Sequence, residues 1–256
     1  LAAATRRVVT STFATVLLHT SLPRLPAAAA GLEEVRKAAS VLPGYGPPDI
    51  LFPPAFKGRW KVTRTVVAVT APLGEEAAPK GLLKRARDSE AVAIEFEQRF
   101  VQDRDPAGVI SDRAFNAERR TAAVSGTALD DLQARWEPSN PNVLTLATLS
   151  SGSVVETKVT KRSFEAPYDG AFGTSEYARV ADAGSSGVLG GVPVILATRV
   201  QMRYRWETAE ASGAAPTQIE ALEITQTFDP TATGFADLAG ATPVLTTKAR
   251  LKFARI

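Results

Sequence analysis

Acid–base chemistry in this chain has to come from carboxylates, tyrosines or serines, because the sequence holds no Cys and a single His, His19. Three carboxylate pairs have spacing worth weighing: Asp130-Asp131, Glu95/Glu97 and Glu220/Glu223. Glycoside hydrolysis would need two such groups converging in a cleft, one of them with a raised pKa. Alternation instead puts Glu95 and Glu97 together on the wet side of a strand, where a solvated role is expected. Tyr168 and Tyr177 add phenols to the inventory, and a hydrolase or isomerase built on carboxylates or these tyrosines is the enzymatic alternative. Ser150-Ser151-Gly152-Ser153 and Ser185-Ser186-Gly187 lack a base partner, and Gly184 to Gly191 lacks the Lys-Ser/Thr ending of a phosphate loop, so these read as turns. Asp103/Asp105 lack the spacing of a calcium loop. No catalytic residue, metal site or cofactor is assigned.

His19 falls in a segment with the layout of an export leader. Arg6 and Arg7 form a basic start, Phe13 to Leu18 a short apolar stretch, and Pro23 and Pro26 break it before the run Ala27 to Ala30. Ala28 and Ala30 supply the small residues of a cleavage site before Gly31. The paired arginines resemble a twin-arginine signal, which carries folded cargo. Residues 1–30 are therefore expected to be a removable leader addressed to the thylakoid lumen, with the bacterial periplasm as the alternative destination. Removing it would take away the chain's one imidazole, and with it any His base, Cys/His zinc site or His-ligated haem. Three of the 30 basic residues lie in 1–30 and no acidic ones do, which leaves 27 of each sign in the remainder. A neutral body lacks the basic footprint that nucleic acid requires, and Lys84-Arg85, Arg119-Arg120 and Lys161-Arg162 read as solvated edges or loops. No apolar stretch reaches membrane-spanning length, so the body is expected to be soluble.

The elements that must position these groups are mostly strands. Helical spacing predicts a short helix over 32–41, stopped by Pro43-Gly44, and the proline-rich segment up to residue 57 must run extended because proline lacks an amide donor. Period-two alternation then predicts strands over 58–70, 90–101, 113–124, 132–137, 143–150, 153–163, 199–207, 219–228 and 244–256. Val200, Met202, Tyr204 and Trp206 share one side of their strand, and Leu222, Ile224 and Phe228 share one side of theirs. The insert 71–89 reads as a loop with a helical turn, and 167–191 as a long functional loop. No repeat is visible. The expected architecture is mainly β: a short N-terminal helix and strap over 31–57, then a single antiparallel up-and-down barrel or strongly curved sheet over 58–256, built from eight or nine strands.

Gly58-Arg59-Trp60, opening the first long strand, resembles the G-x-W element of lipocalins and other calycin barrels. That resemblance implies that Trp60 plugs one end and that a basic residue of the last strand covers the indole. Arg255 has the inward parity of Leu251 and Phe253 and is the candidate. Gly58, Trp60 and Arg255 would then be structural. The wider string Gly46-Pro47-Pro48-Asp49-Ile50-Leu51-Phe52-Pro53-Pro54-Ala55-Phe56-Lys57-Gly58-Arg59-Trp60 resembles the start of the DUF6816-type domain of cyanobacteria and plastids, which lies directly after a lumenal targeting peptide. It would cover roughly 43–256 and supplies no catalytic residues. The leading expectation is a non-enzymatic lumenal auxiliary protein acting in assembly, stability or protection of photosynthetic membrane complexes, with a membrane-protein complex of the photosystem class as the partner on its lumenal side. The second is a lipocalin-like carrier holding a lipid, quinone or pigment against Val200, Met202, Tyr204 and Trp206.

Overall fold

The computed structural model describes residues 46–103, 108–183, 194–207, 215–229, 238 and 240–256. The leader expected over 1–30 with Arg6, Arg7, Ala28 and Ala30, the helix expected over 32–41 and the 184–191 part of the expected long loop lie outside the described residues. Ten strands form one antiparallel sheet: β1 (Gly58–Thr70), β2 (Ala93–Gln102), β3 (Val109–Ser111), β4 (Leu132–Glu137), β5 (Asn140–Thr148), β6 (Ser153–Phe164), β7 (Ala171–Asp182), β8 (Val194–Arg205), β9 (Gln218–Phe228) and β10 (Leu245–Arg255). Their spatial order is β3-β2-β1-β10-β9-β8-β7-β6-β5-β4. The chain from β4 to β10 is a simple meander, and β1 to β3 extend it beyond β10. The sheet curls strongly into a half-barrel whose concave side holds the core, as alternation predicts for strands with one wet face.

Among the described residues two α-helices interrupt the strands, α1 (Lys80–Asp88) and α2 (Arg113–Ser125). The turn expected within 71–89 is the nine-residue α1, whose Leu83 packs with Ala78, Val244 and Leu245. The strand expected over 113–124 is instead α2. Its start is fixed by Asp112, whose side chain accepts the Phe115 N–H at 3.1 Å, and its end by Gly126 in the left-handed conformation at φ 72°. Alanine-rich composition between two such caps outweighs a few residues of alternation. The long loop expected over 167–191 contains β7, whose Phe172, Thr174 and Ala178 alternate inward although Gly173 and Ser175 lower its local strand preference. Pairing to β8 along its whole length and to β6 from Thr174 to Asp182 decides the matter. The sheet thus has ten strands rather than eight or nine.

Helix α2 lies across the gap between the two ends of the sheet, packing on β2 at one end and β4 at the other. Its side chains treat the strand edges as missing partners. The buried Asn116 amide accepts the Arg99 N–H of β2 at 2.7 Å and donates to the Arg99 carbonyl at 3.0 Å, as a neighbouring strand would. Glu118 accepts the Ala134 N–H of β4 at 2.8 Å. The helix therefore satisfies exposed ladder groups that would otherwise invite another chain.

The barrel interior is filled by the strap that precedes β1. Phe52, bridged to Val109, has the rings of Phe56, Phe100, Phe172 and Tyr204 within 4.9–6.1 Å, mostly edge to face. Phe56 is fully buried and also meets Trp206 at 5.6 Å. Next to it, Trp60 is fully buried, donates from Nε1 to the Phe56 carbonyl at 2.7 Å, and carries the Arg255 guanidinium 4.2 Å above its ring. Arg255 in turn donates to the carbonyls of Ala55, Lys57 and Pro216. Gly58 adopts φ 120° there, and a Cβ on it would stand 3.1 Å from that guanidinium.

Replacing Phe56 by alanine should cost about 3–5 kcal/mol and lower Tm by roughly 6–20 °C. Val92→Ala, at a half-exposed position, should stay within about 0.5 kcal/mol of the parent. Thermal unfolding followed by near-UV circular dichroism checks both.

Candidate functional site

Ionisable side chains that alternation sends into the concave face form the chemistry-bearing centre of the fold. Arg64 stands between Val62 and Val66 on β1, Glu223 follows Ile219 and Ala221 on β9, and Glu176 sits two residues past Thr174 on β7. Each is a charge on the apolar side of its strand, where desolvation is costly unless a partner meets it. Arg113 and Arg120, seven residues apart on α2, and Asp49 and Arg162 supply those partners.

Two clusters result. Glu223, 1 % exposed, accepts four hydrogen bonds: from Arg64 Nε and Nη2 at 3.0 and 2.8 Å, and from Arg120 Nη1 and Nη2 at 2.7 and 2.8 Å. This Arg–Glu–Arg clamp joins β1, β9 and α2. In the second cluster, Arg113 Nη2 donates to Asp49 Oδ1 at 2.6 Å and to Glu176 Oε1 at 2.8 Å, while Arg162 Nε donates to Glu176 Oε1 at 2.5 Å. Arg162 also reaches the carbonyls of Pro47 and Pro48 in the strap, and Pro141 and Asn142 at the start of β5. Prolines offer no N–H but keep a carbonyl, so a guanidinium with five donors is well suited to hold a proline-rich strap.

Burial drives the Glu223 carboxyl upward, but Arg120 and Arg64 outweigh it and hold its pKa at about 2. Burial likewise opposes ionisation of Glu176, and Arg113 and Arg162 bring it below the usual carboxylate range. Tyr204 is shifted the other way, raised by burial first and then by the nearby Glu223 and Glu176 charges, and stays a neutral phenol. Glu223 and Glu176 are thus ionised acceptors and the Tyr204 phenol is protonated. Neither carboxyl has the raised pKa that a general acid needs near neutrality. The arrangement is suited to fastening the strap and α2 to the sheet.

Among the candidates named from sequence, Tyr204 is buried in the aromatic cluster and Met202 and Trp206 pack against it, with Val200 on the same side of β8, directly across from Glu176. The strap rings stand where a ligand facing Tyr204 and Trp206 would lie. Glu95 and Glu97 are on the polar face, in surface ion pairs with Lys61 and Arg59. Asp131 accepts the Ser150 N–H at a turn. Glu220 and Glu223 do not converge, since three residues along a strand put them on opposite faces. On β9, Leu222, Ile224 and Phe228 do share one side, and it is the outer one: Ile219, Ala221 and Glu223 take the concave side, and Phe228 is buried against Tyr177, Ala197 and Leu238. Arg120 and Arg162, read as solvated, are clamp residues, with Arg162 only 2 % exposed. Asp49, Arg64, Arg113 and Glu176 went unread, although an arginine flanked by two inward valines is a usable signal.

Comparison with known proteins gives one match: a family model described as a domain of unknown function, DUF6816, matches residues 44–256, and the chain belongs to that family. No curated protein and no solved structure matches the chain.

The clamp makes stability depend on acid. The folded carboxyl of Glu223 has its pKa below the ordinary 4.5, so the unfolded chain takes up the proton first. Its contribution is complete above about pH 5.5 and should be lost as pH falls from 4.5 toward 2. Glu223→Gln leaves Arg64 and Arg120 without their anion and should cost about 3–5 kcal/mol at pH 7, while flattening this acid limb. Urea midpoints measured between neutral and acid pH test both effects.

Proposed function

We propose that this DUF6816 member is a non-catalytic auxiliary protein of the thylakoid lumen that works through its outer surface, in the assembly, stability or protection of photosynthetic membrane complexes. What supports the non-catalytic part is the occupied interior: the strap's Phe52 and Phe56 fill the space beside Tyr204 and Trp206, and among the described residues the inward Asp49, Glu176 and Glu223 are each paired to arginine. What supports the lumenal part is the leader pattern of Arg6, Arg7, Ala28 and Ala30, together with the plastid and cyanobacterial setting that the family resemblance implies.

The carrier reading, with a lipid, quinone or pigment held against Val200, Met202, Tyr204 and Trp206, would require Phe52 and Phe56 to leave the interior. Small barrels are commonly filled by their own side chains. The pinning of Trp60 and the strap by Arg255 beside Gly58 is compatible with either reading, because it fastens one end of the strap and leaves the choice of ligand open.

Protein recovered from its source should begin near Gly31, without Arg6 and Arg7, fractionate with the lumen and co-purify with a membrane complex. Native mass spectrometry should give the mass of the processed chain alone. A retained leader with cytosolic recovery contradicts the location, and a stoichiometric small-molecule adduct favours the carrier.

A further inference from the structure

The outward side of β8, β9 and β10 carries a charge pattern that neither the core nor the clamp explains. Leu222, 36 % exposed, has Arg250 and Arg203 as its direct cross-strand partners. One step along the same face, Lys252 and Arg205 flank Glu220, and one step the other way Lys248 stands beside Ile224. All five cations are exposed, and among the described residues only Arg203 forms an ion pair, at 3.5 Å to Glu165.

Composition does not force this excess. Residues 31–256 hold equal numbers of acidic and basic groups, and the neighbouring β1–β2 ladder neutralises its cations, with Lys61 bonded to Glu95 and Arg59 to Glu97. On β8 to β10 the cations outnumber the carboxylates: Glu220 stands between Lys252 and Arg205, and Leu222 and Ile224 hold the centre beside Arg203, Arg250 and Lys248. Five cations on adjacent strands with Glu220 as the one anion among them repel one another unless a further anion meets them.

We propose that this face docks on an anionic lipid surface. The face belongs to the convex side of the sheet, so a rigid acidic protein would need a matching concavity, whereas mobile headgroups can gather around the cations. Leu222 and Ile224 stand among long Arg and Lys stems, whose apolar lengths can lie along a headgroup boundary while their charges reach phosphate or sulfonate groups. The aromatic residues that anchor protein–protein interfaces are missing from the grid. The proposal rests on the outward-working reading above and names the surface that this reading requires.

The test uses the full chain and vesicles of phosphatidylcholine with and without one third phosphatidylglycerol, followed by co-sedimentation at low and high salt. Binding should need the anionic lipid and weaken steeply with salt. Each basic residue near such a surface contributes roughly fivefold in affinity, so Lys248→Gln/Arg250→Gln/Lys252→Gln should lose about a hundredfold. The control Lys57→Gln/Arg135→Gln/Lys158→Gln, which changes exposed cations elsewhere, should change binding less than about threefold. Far-UV circular dichroism confirms that both variants are folded, and Leu222→Ser, which keeps every charge, should weaken binding at high salt if the aliphatic centre inserts. Equal binding to neutral vesicles, equal loss in the two triple variants, or capture of an acidic protein by the face without vesicle binding overturns the lipid assignment. Those outcomes leave the outward-working reading standing, whereas a ligand inside the barrel removes the reading beneath it.

Discussion

A carboxylate buried in the concave face of a sheet cannot be left alone, and Glu223 makes that constraint the organising one here. Its desolvation demands opposite charge within hydrogen-bond reach, and the four bonds it accepts come from two different elements, Arg64 of β1 and Arg120 of α2. The direction of α2, and hence the way the sheet's two ends are joined, follows from where Arg120 must stand. A hydrophobic residue at 223 would pack but would not specify which turn of the helix faces the barrel.

The rest of the seam reads as a consequence. With Arg120 fixed, Arg113 lies two turns earlier on the same side of α2, close enough to bind both Glu176 and Asp49. Asp49 belongs to the strap, so the second cluster fastens the segment whose Phe52 and Phe56 fill the interior. At the other end the strap is held by Trp60 and Arg255, through carbonyl acceptors that prolines do not remove. Asn116 and Glu118 then meet the backbone of β2 and β4. Ionic, aromatic and backbone contacts all serve to close a sheet whose own strands do not meet.

The alternation of Val62/Val66, Val200/Met202/Tyr204 and Leu251/Phe253 made the curved antiparallel sheet legible from sequence, and Gly58-Arg59-Trp60 with Arg255 pointed to the pinned end. Alternation failed at 113–124 because the decisive information was at the ends, in the caps Asp112 and Gly126. On β9 it grouped Leu222, Ile224 and Phe228 on one side but could not tell that this side is the outer one. The partners that draw Glu223 inside are 103 and 159 residues away in sequence. Long-range pairing of this sort leaves no periodic trace, which is also why Arg120 and Arg162 looked like ordinary surface cations. The interior was legible as aromatic, but that a proline-rich strap would occupy it depended on its return path through the barrel.

A fastened interior of paired charges thus lies behind an outer face whose cations outnumber its carboxylates. The Glu223 clamp, more than helix propensity or apolar packing alone, holds α2 in the wall. Hydrogen–deuterium exchange resolved by peptide tests this most directly, comparing the parent chain with Glu223→Gln at neutral pH. The clamp account predicts that amides of α2 exchange faster by about a hundredfold or more, and that in the variant α2 opens at lower free energy than β7 and β8, which lose protection only as far as global stability falls. Unchanged protection across 113–125, or a variant in which α2 is no less protected than β7 and β8, would contradict it.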